Sequence, residues 1–139
     1  MEAFELFIHH RHQVVYYPDT FEVLEALAQR FQLIALSNGN ADVARLGLGD
    51  YFSESFSAAR VGASKPAPDM FHAALGHADA EAHQAVHIGD HPFDDIKAAS
   101  DVGMHTIWIP HASHKGEPAN ASRQVARLAE LPAAIDSLL

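Results

Sequence analysis

HIGDHPFDDIKAASDVG, residues 87–103, places three carboxylates, Asp90, Asp94 and Asp95, within six positions directly behind a short apolar run. AVHIG before Asp90 reads as a buried strand, Gly89 and Asp90 as the start of its turn, and FDDIKAASDVG as a helix closed by Gly103. Asp and Gly favour turns, so a solvated loop explains part of the pattern. Three like charges at a strand terminus nevertheless repel one another unless a cation or hydrogen-bond donors compensate.

The same grammar repeats outward from this stretch. LIALSNGN is a continuous apolar run over residues 33–36 that ends in a polar, glycine-containing turn, as a parallel strand covered on both faces requires. Before it, Phe21, Leu24, Leu27, Ala28 and Phe31 recur at three and four, which predicts a helix; YYPDT separates this helix from an earlier amphipathic one in FELFIHHRHQVV. After it, ADVARLGL reads as a short helix, ESFSAARVG as a weak strand and loop, and PAPDMFHAALGHA as a helix with Pro66 or Pro68 near its first turn. HTIWIP is a further strand stopped by Pro110, HASHKGEPANAS is linker-like, and residues 123–139 read as a terminal helical region. Strands alternating with helices predict an α/β fold with a parallel sheet and right-handed crossovers.

Composition narrows the function. The 139 residues suit one domain, and 48% are hydrophobic, which predicts a globular core. Nine Lys and Arg against 18 Asp and Glu give a formal net charge of -9, which argues against a nucleic-acid or anionic-membrane surface, so an anionic substrate must meet a local positive site. There is no cysteine, hence no disulfide framework and no thiolate metal site. The longest apolar stretches are too short to span a bilayer, and MEAFELFIHHRH carries acids where a signal peptide carries basic residues, so a soluble cytoplasmic protein is expected. Of eleven histidines, His9, His10 and His12 lie together, but no flanking carboxylates accompany them and they read as solvated imidazoles.

In a parallel sheet, ligands sit outside the carboxyl ends of the strands. Ser37 and Asn38 follow one strand, Asp90 follows another, and Lys65 lies in the loop that opens a helix. A hydroxyl with backbone donors, an ammonium and a carboxylate suited to Mg²⁺ together describe a cradle for a phosphoryl group, because Mg²⁺ takes one or two carboxylates, water and phosphate oxygens.

These motifs resemble those of the haloacid dehalogenase (HAD) superfamily of phosphatases. LSNGN is similar to the family's second motif, with Ser37 as its hydroxyl; VGASKPAPDMF is similar to the third, with Lys65 as its lysine. HIGDHPFDDIKAASDVG is similar to the fourth, through Gly89, Asp90, Asp95, Ile96 and Gly103. The resemblance spans about residues 17–109 and implies a Rossmann-like core. It also implies Mg²⁺ held by Asp90, with Asp95 orienting the metal or its water or anchoring Lys65, and Asp94 as an equal alternative to Asp95. LSNGNADVARLGLGDYF is further similar to bacterial phosphatases acting on flavin-pathway phosphates, the ribitylamino-uracil phosphate and FMN.

The family's first motif, an apolar strand followed by Asp-x-Asp, has no match: Asp19 has no preceding strand and Phe21 stands at the partner position. In the family the first of these acids attacks phosphorus to form an aspartyl-phosphate and the second is the acid and base. The resemblance therefore divides the chain into residues 1–16, the remnant of a helical cap ending in a helix over 4–15, and residues 17–139, a core lacking its central first strand. A fragment, a misassigned start codon or a truncated gene each explain this pattern. Such a chain is expected to close the gap by strand rearrangement, to self-associate through the incomplete sheet, or to contain more residues than these 139. The expected parent activity is Mg²⁺-dependent hydrolysis of a small phosphorylated metabolite, with this chain alone inactive. The alternative is a non-catalytic phosphate- and Mg²⁺-binding or self-associating module. A receiver-type signalling domain fits poorly, since the order Ser37, Lys65, Asp90 is not that of its acids, hydroxyl and lysine.

Overall fold

Pairing of apolar runs generates one parallel sheet. The computed structural model describes residues 5–9, 20–37, 52–65, 67–110 and 121–138. Its strands are β1 (Glu5–His9), β2 (Gln32–Ser37), β3 (Glu54–Ser57), β4 (Ala85–Gly89), β5 (His105–Trp108) and β6 (Arg123–Gln124), in the order β3-β2-β1-β4-β5-β6. Every pairing is parallel. The helices are α1 (Thr20–Ala28), α2 (Ala58–Val61), α3 (Asp69–Ala78), α4 (Ala98–Val102) and α5 (Leu131–Asp136). Strand order reverses between β1 and β4, which makes their carboxyl ends the switch point of a doubly wound sheet.

Alternation along the strands loads both faces. Leu33, Ala35, Val86, Ile88 and Ile107 pack with Val23, Leu24 and Leu27 of α1 and with Leu131 and Ile135 of α5. Ile34, Leu36 and Ala85 point the other way, onto Met70, Phe71, Ala74 and Leu75 of α3 and onto Ala98 and Ala99 of α4. Each fully buried Leu, Ile, Phe or Met side chain contributes roughly 1.5–3 kcal/mol, so these two layers carry the fold. At the outer edge, the Arg60 guanidinium lies 4.6 Å above the Phe56 ring. Its Nη1 and Nη2 donate to Glu54 Oε1 and Oε2 at 2.8 and 3.3 Å. None of the described helices is long and apolar enough to cross a membrane.

Four expectations change. Residues 5–9 form a strand instead of part of a helix over 4–15. Their backbone pairs with β2 on one side and β4 on the other, so residues 5–9 occupy the central place expected to be missing. Two parallel strands left with open inner edges offer a contiguous apolar run more hydrogen bonds than a surface helix would. After β3 the chain forms the short helix α2 rather than a loop, because Ser57 accepts the Arg60 N–H and Gly62, at φ 90°, closes the turn. The FDDIKAASDVG helix begins as a π-helical turn, Pro92–Lys97, before continuing as α4 to Gly103 at φ 101°. The terminal region opens with β6 rather than helix; α5 follows. The helix expected in ADVARLGL, the Asn38 side chain, Asp19, His10, His12 and the linker over 111–120 lie outside the described residues.

Candidate functional site

β4 delivers the acids. All five of its residues are buried, and Gly89 closes it where a side chain has no room: a Cβ there would stand 2.6 Å from Asp95 Cβ. Ile109 N–H donates to the Gly89 carbonyl at 3.0 Å, and the Trp108 indole Nε1–H donates to the Asp90 carbonyl at 3.1 Å, so β5 fixes the backbone on which Asp90 sits. His91 then caps the next turn, its Nδ1 accepting the N–H groups of Phe93 and Asp94 at 3.1 and 3.0 Å. The His91 carbonyl accepts from both Asp95 N–H (3.1 Å) and Ile96 N–H (3.3 Å), the bond pattern of the π turn.

That turn separates two adjacent acids. Asp95 is fully buried, whereas Asp94 remains 30% exposed with Oδ2 at 3.8 Å from His91 Nε2. Asp95 Oδ1 accepts from Lys65 Nζ at 2.5 Å and from His87 Nε2 at 2.9 Å, and its Oδ2 accepts the His91 N–H at 3.1 Å. Lys65 reaches this point from the loop between α2 and α3, shaped by the Ala67 N–H to Ser64 carbonyl bond of 3.0 Å. Its side chain is fully buried. Burial pulls the Lys65 ammonium below the ordinary lysine pKa of 10.5, while the facing carboxylates of Asp95, Asp94 and Asp90 pull it back up.

Ser37 ends β2. Ile8 pairs with Ala35 on one side and Ile88 on the other, so two residues further on Ser37 and Asp90 stand level at the carboxyl edge, flanking β1. Two strand spacings put their backbones roughly 10 Å apart. Lys65, Asp90, Asp94 and Asp95 are thus brought together, and Ser37 shares their edge by backbone position; its side chain and Asn38 lie outside the described residues. Among the described residues no three His, Cys, Asp or Glu side chains form a metal cage by themselves.

Neither His87 nor His91 stands out in the sequence as a site residue. The signal for His87 was a titratable residue inside the apolar run AVHIG; its partner, eight residues on, depends on a turn that periodicity does not reveal.

Comparison with known proteins places the fold in a family. The family model described as haloacid dehalogenase-like hydrolase matches residues 4–103. The 5-amino-6-(5-phospho-D-ribitylamino)uracil phosphatase YigB of Escherichia coli is 37% identical over 90 residues, covering 65% of this chain and 38% of that protein. The crystal structure of a 2-haloacid dehalogenase from Pseudomonas syringae pv. Tomato superposes with a TM-score of 0.85 at 40% identity, over 92% of this chain and 56% of that one. A HAD phosphatase from Thermococcus onnurineus superposes with a TM-score of 0.76 at 31% identity, over 86% and 57%. The chain therefore spans between about two fifths and three fifths of the length of these relatives.

Proposed function

The chain belongs to the haloacid dehalogenase-like hydrolases, and on that premise we propose that its site holds the phosphoryl group and Mg²⁺ for a longer parent protein that hydrolyses a small phosphate monoester. The observation that supports this reading most is the buried Lys65, anchored on Asp95 and faced by Asp90 and Asp94, at the sheet's switch point and level with the Ser37 edge. A net charge of -9 makes such a local cation necessary for any phosphorylated substrate.

Lys65 donates to a phosphoryl oxygen, joined by the Ser37 hydroxyl and by Asn38. Asp95, both of whose oxygens already accept donors, positions Lys65; the cation falls to Asp90 and Asp94. That donor set fits Mg²⁺, which combines one or two carboxylates with water and phosphate oxygens and, when bound, neutralises charge on the phosphoryl group. In the parent protein the reaction would proceed through an aspartyl-phosphate. No Asp-x-Asp pair occurs in these 139 residues, so we assign them phosphate and Mg²⁺ binding without turnover. The substrate is a small phosphorylated metabolite, and the site is neither a nucleic-acid nor a membrane surface.

Calorimetric titration with inorganic phosphate, with and without Mg²⁺, alongside p-nitrophenyl phosphate turnover, tests the reading. Binding that requires Mg²⁺ and disappears in Lys65→Met is expected, without hydrolysis. Phosphate binding indifferent to Lys65→Met overturns the site, and turnover by the chain alone overturns the assignment of the nucleophile.

A further inference from the structure

His87 occupies a place that packing alone would give to an apolar residue. It lies in the middle of β4, fully buried, with its ring edge-to-face on Phe71 of α3 at 5.0 Å between centroids and 86° between planes. Its strand neighbours Ala85, Val86 and Ile88 are all apolar. Burying an imidazole among them is unfavourable unless its polar atoms find partners. The polar atom that finds a site group is Nε2, at 2.9 Å from Asp95 Oδ1, the same oxygen that Lys65 Nζ meets at 2.5 Å.

We propose that His87 is a positioning residue for Lys65, acting by locking the rotation of the Asp95 carboxylate. A carboxylate turns about its Cβ–Cγ bond unless both oxygens are held. The His91 N–H holds Oδ2 at 3.1 Å, and His87 Nε2–H holds Oδ1 from the sheet. One donor from the backbone and one from a fully buried ring on a central strand thus hold the acceptor that Lys65 meets. Lys65 docks on a fixed oxygen, and its other N–H bonds keep one direction, toward the side where Asp90 and Asp94 lie. Sharing Oδ1 also divides that oxygen's charge between two donors and leaves the ammonium less completely drawn to Asp95. The carboxylate partner assigns the proton of the imidazole to Nε2. That the oriented ammonium then serves a phosphoryl oxygen rests on the function proposed above; the lock itself does not.

The test uses the full chain as wild type, His87→Leu and His87→Gln, the last keeping an amide donor near the Nε2 position. ¹⁵N NMR of lysine ammonium groups reads the lock directly. Wild type is expected to show one slowly exchanging resonance, assigned to Lys65 by its loss in Lys65→Met, and long-range ¹⁵N correlation is expected to show His87 as the Nε2–H tautomer. The Lys65 resonance should broaden or vanish in His87→Leu and return in His87→Gln, and affinity for inorganic phosphate with Mg²⁺ should fall about tenfold in the first and recover in the second. An unchanged Lys65 signal in His87→Leu, failure of His87→Gln to restore it, or an Nδ1–H tautomer in wild type overturns the proposal. The tautomer decides the matter even if His87→Leu does not fold. If wild type binds no phosphate, the proposed function fails while the ammonium and imidazole signals still judge His87.

Discussion

Removing the Asp95 carboxylate takes the shared acceptor from three donors, two of them on fully buried side chains. In Asp95→Leu the Lys65 ammonium loses its partner at 2.5 Å, His87 Nε2 loses its acceptor at 2.9 Å, and the His91 N–H loses its acceptor at 3.1 Å. Breaking a buried ion pair from one side costs about 3–5 kcal/mol. The two further orphaned donors add about 1 kcal/mol each at the low end, for a loss of at least roughly 5 kcal/mol. That is comparable to the whole stability of a small domain, about 5–15 kcal/mol, so Asp95→Leu should be marginally folded. Adding Lys65→Met removes the uncompensated charge and leaves only the two neutral donors stranded, a loss of about 2–4 kcal/mol in total. The double variant should therefore be more stable than Asp95→Leu alone by about 1–3 kcal/mol, even though it carries one more substitution. Urea unfolding followed by far-ultraviolet circular dichroism measures this order. A double variant as unstable as Asp95→Leu, or less stable, refutes the view that a buried charge pair organises the site.

Gly89→Ala places a methyl group against Asp95, 2.6 Å from its Cβ, and should cost about 1–3 kcal/mol in the urea midpoint while abolishing phosphate binding. Because burial lowers the Lys65 pKa in the folded state, the unfolded chain holds more protons between that lowered value and 10.5. Stability of wild type relative to Lys65→Met should then rise with pH across that window, by at most about 1.4 kcal/mol per unit; a fall would reverse the assigned sign. On the outer edge, hydrogen bonds from Arg60 and then from the Ser55 N–H hold Glu54 at about 2, so in Arg60→Ala its titration, followed by ¹³C NMR, should move toward 4.5.

Where periodicity and turn chemistry agree, the sequence predicts the structure closely. Residues 33–36 are a continuous apolar run and residues 85–89 an apolar run interrupted only by His87, each followed by a polar turn, and both are inner strands. Gly103 closes its helix in the left-handed conformation, as expected. FELFI is different, because a short apolar run satisfies a helix face and a covered strand equally well. Its place between β2 and β4 is decided by the open backbone edges of strands 27 and 80 residues away, which no local window contains. The choice between Asp94 and Asp95 fails for a related reason. Counting back from the buried Ala98 and Ala99 by three and four reaches both acids, and only the extra residue of the π turn sends Asp95 inward and leaves Asp94 at the surface. Lys65 and Asp90 were legible as candidates because a lysine in a loop opening a helix and an acid at a strand terminus carry positional meaning. His87 was not, because its meaning depends on which carboxylate the turn presents to it.

The bond between Trp108 and the Asp90 carbonyl gives the protein an optical gauge of its own acid loop. The chain has one tryptophan, so emission excited at the red edge of the absorption band, where tyrosine does not absorb, comes from a single, buried indole whose N–H is tied to the Asp90 carbonyl at the sheet's carboxyl edge. Any event that draws on the Asp90 side chain shifts the field along that indole, and the colour and intensity of its emission follow without a label. Titrating divalent cations against that signal turns a packing detail into a direct binding isotherm for the loop.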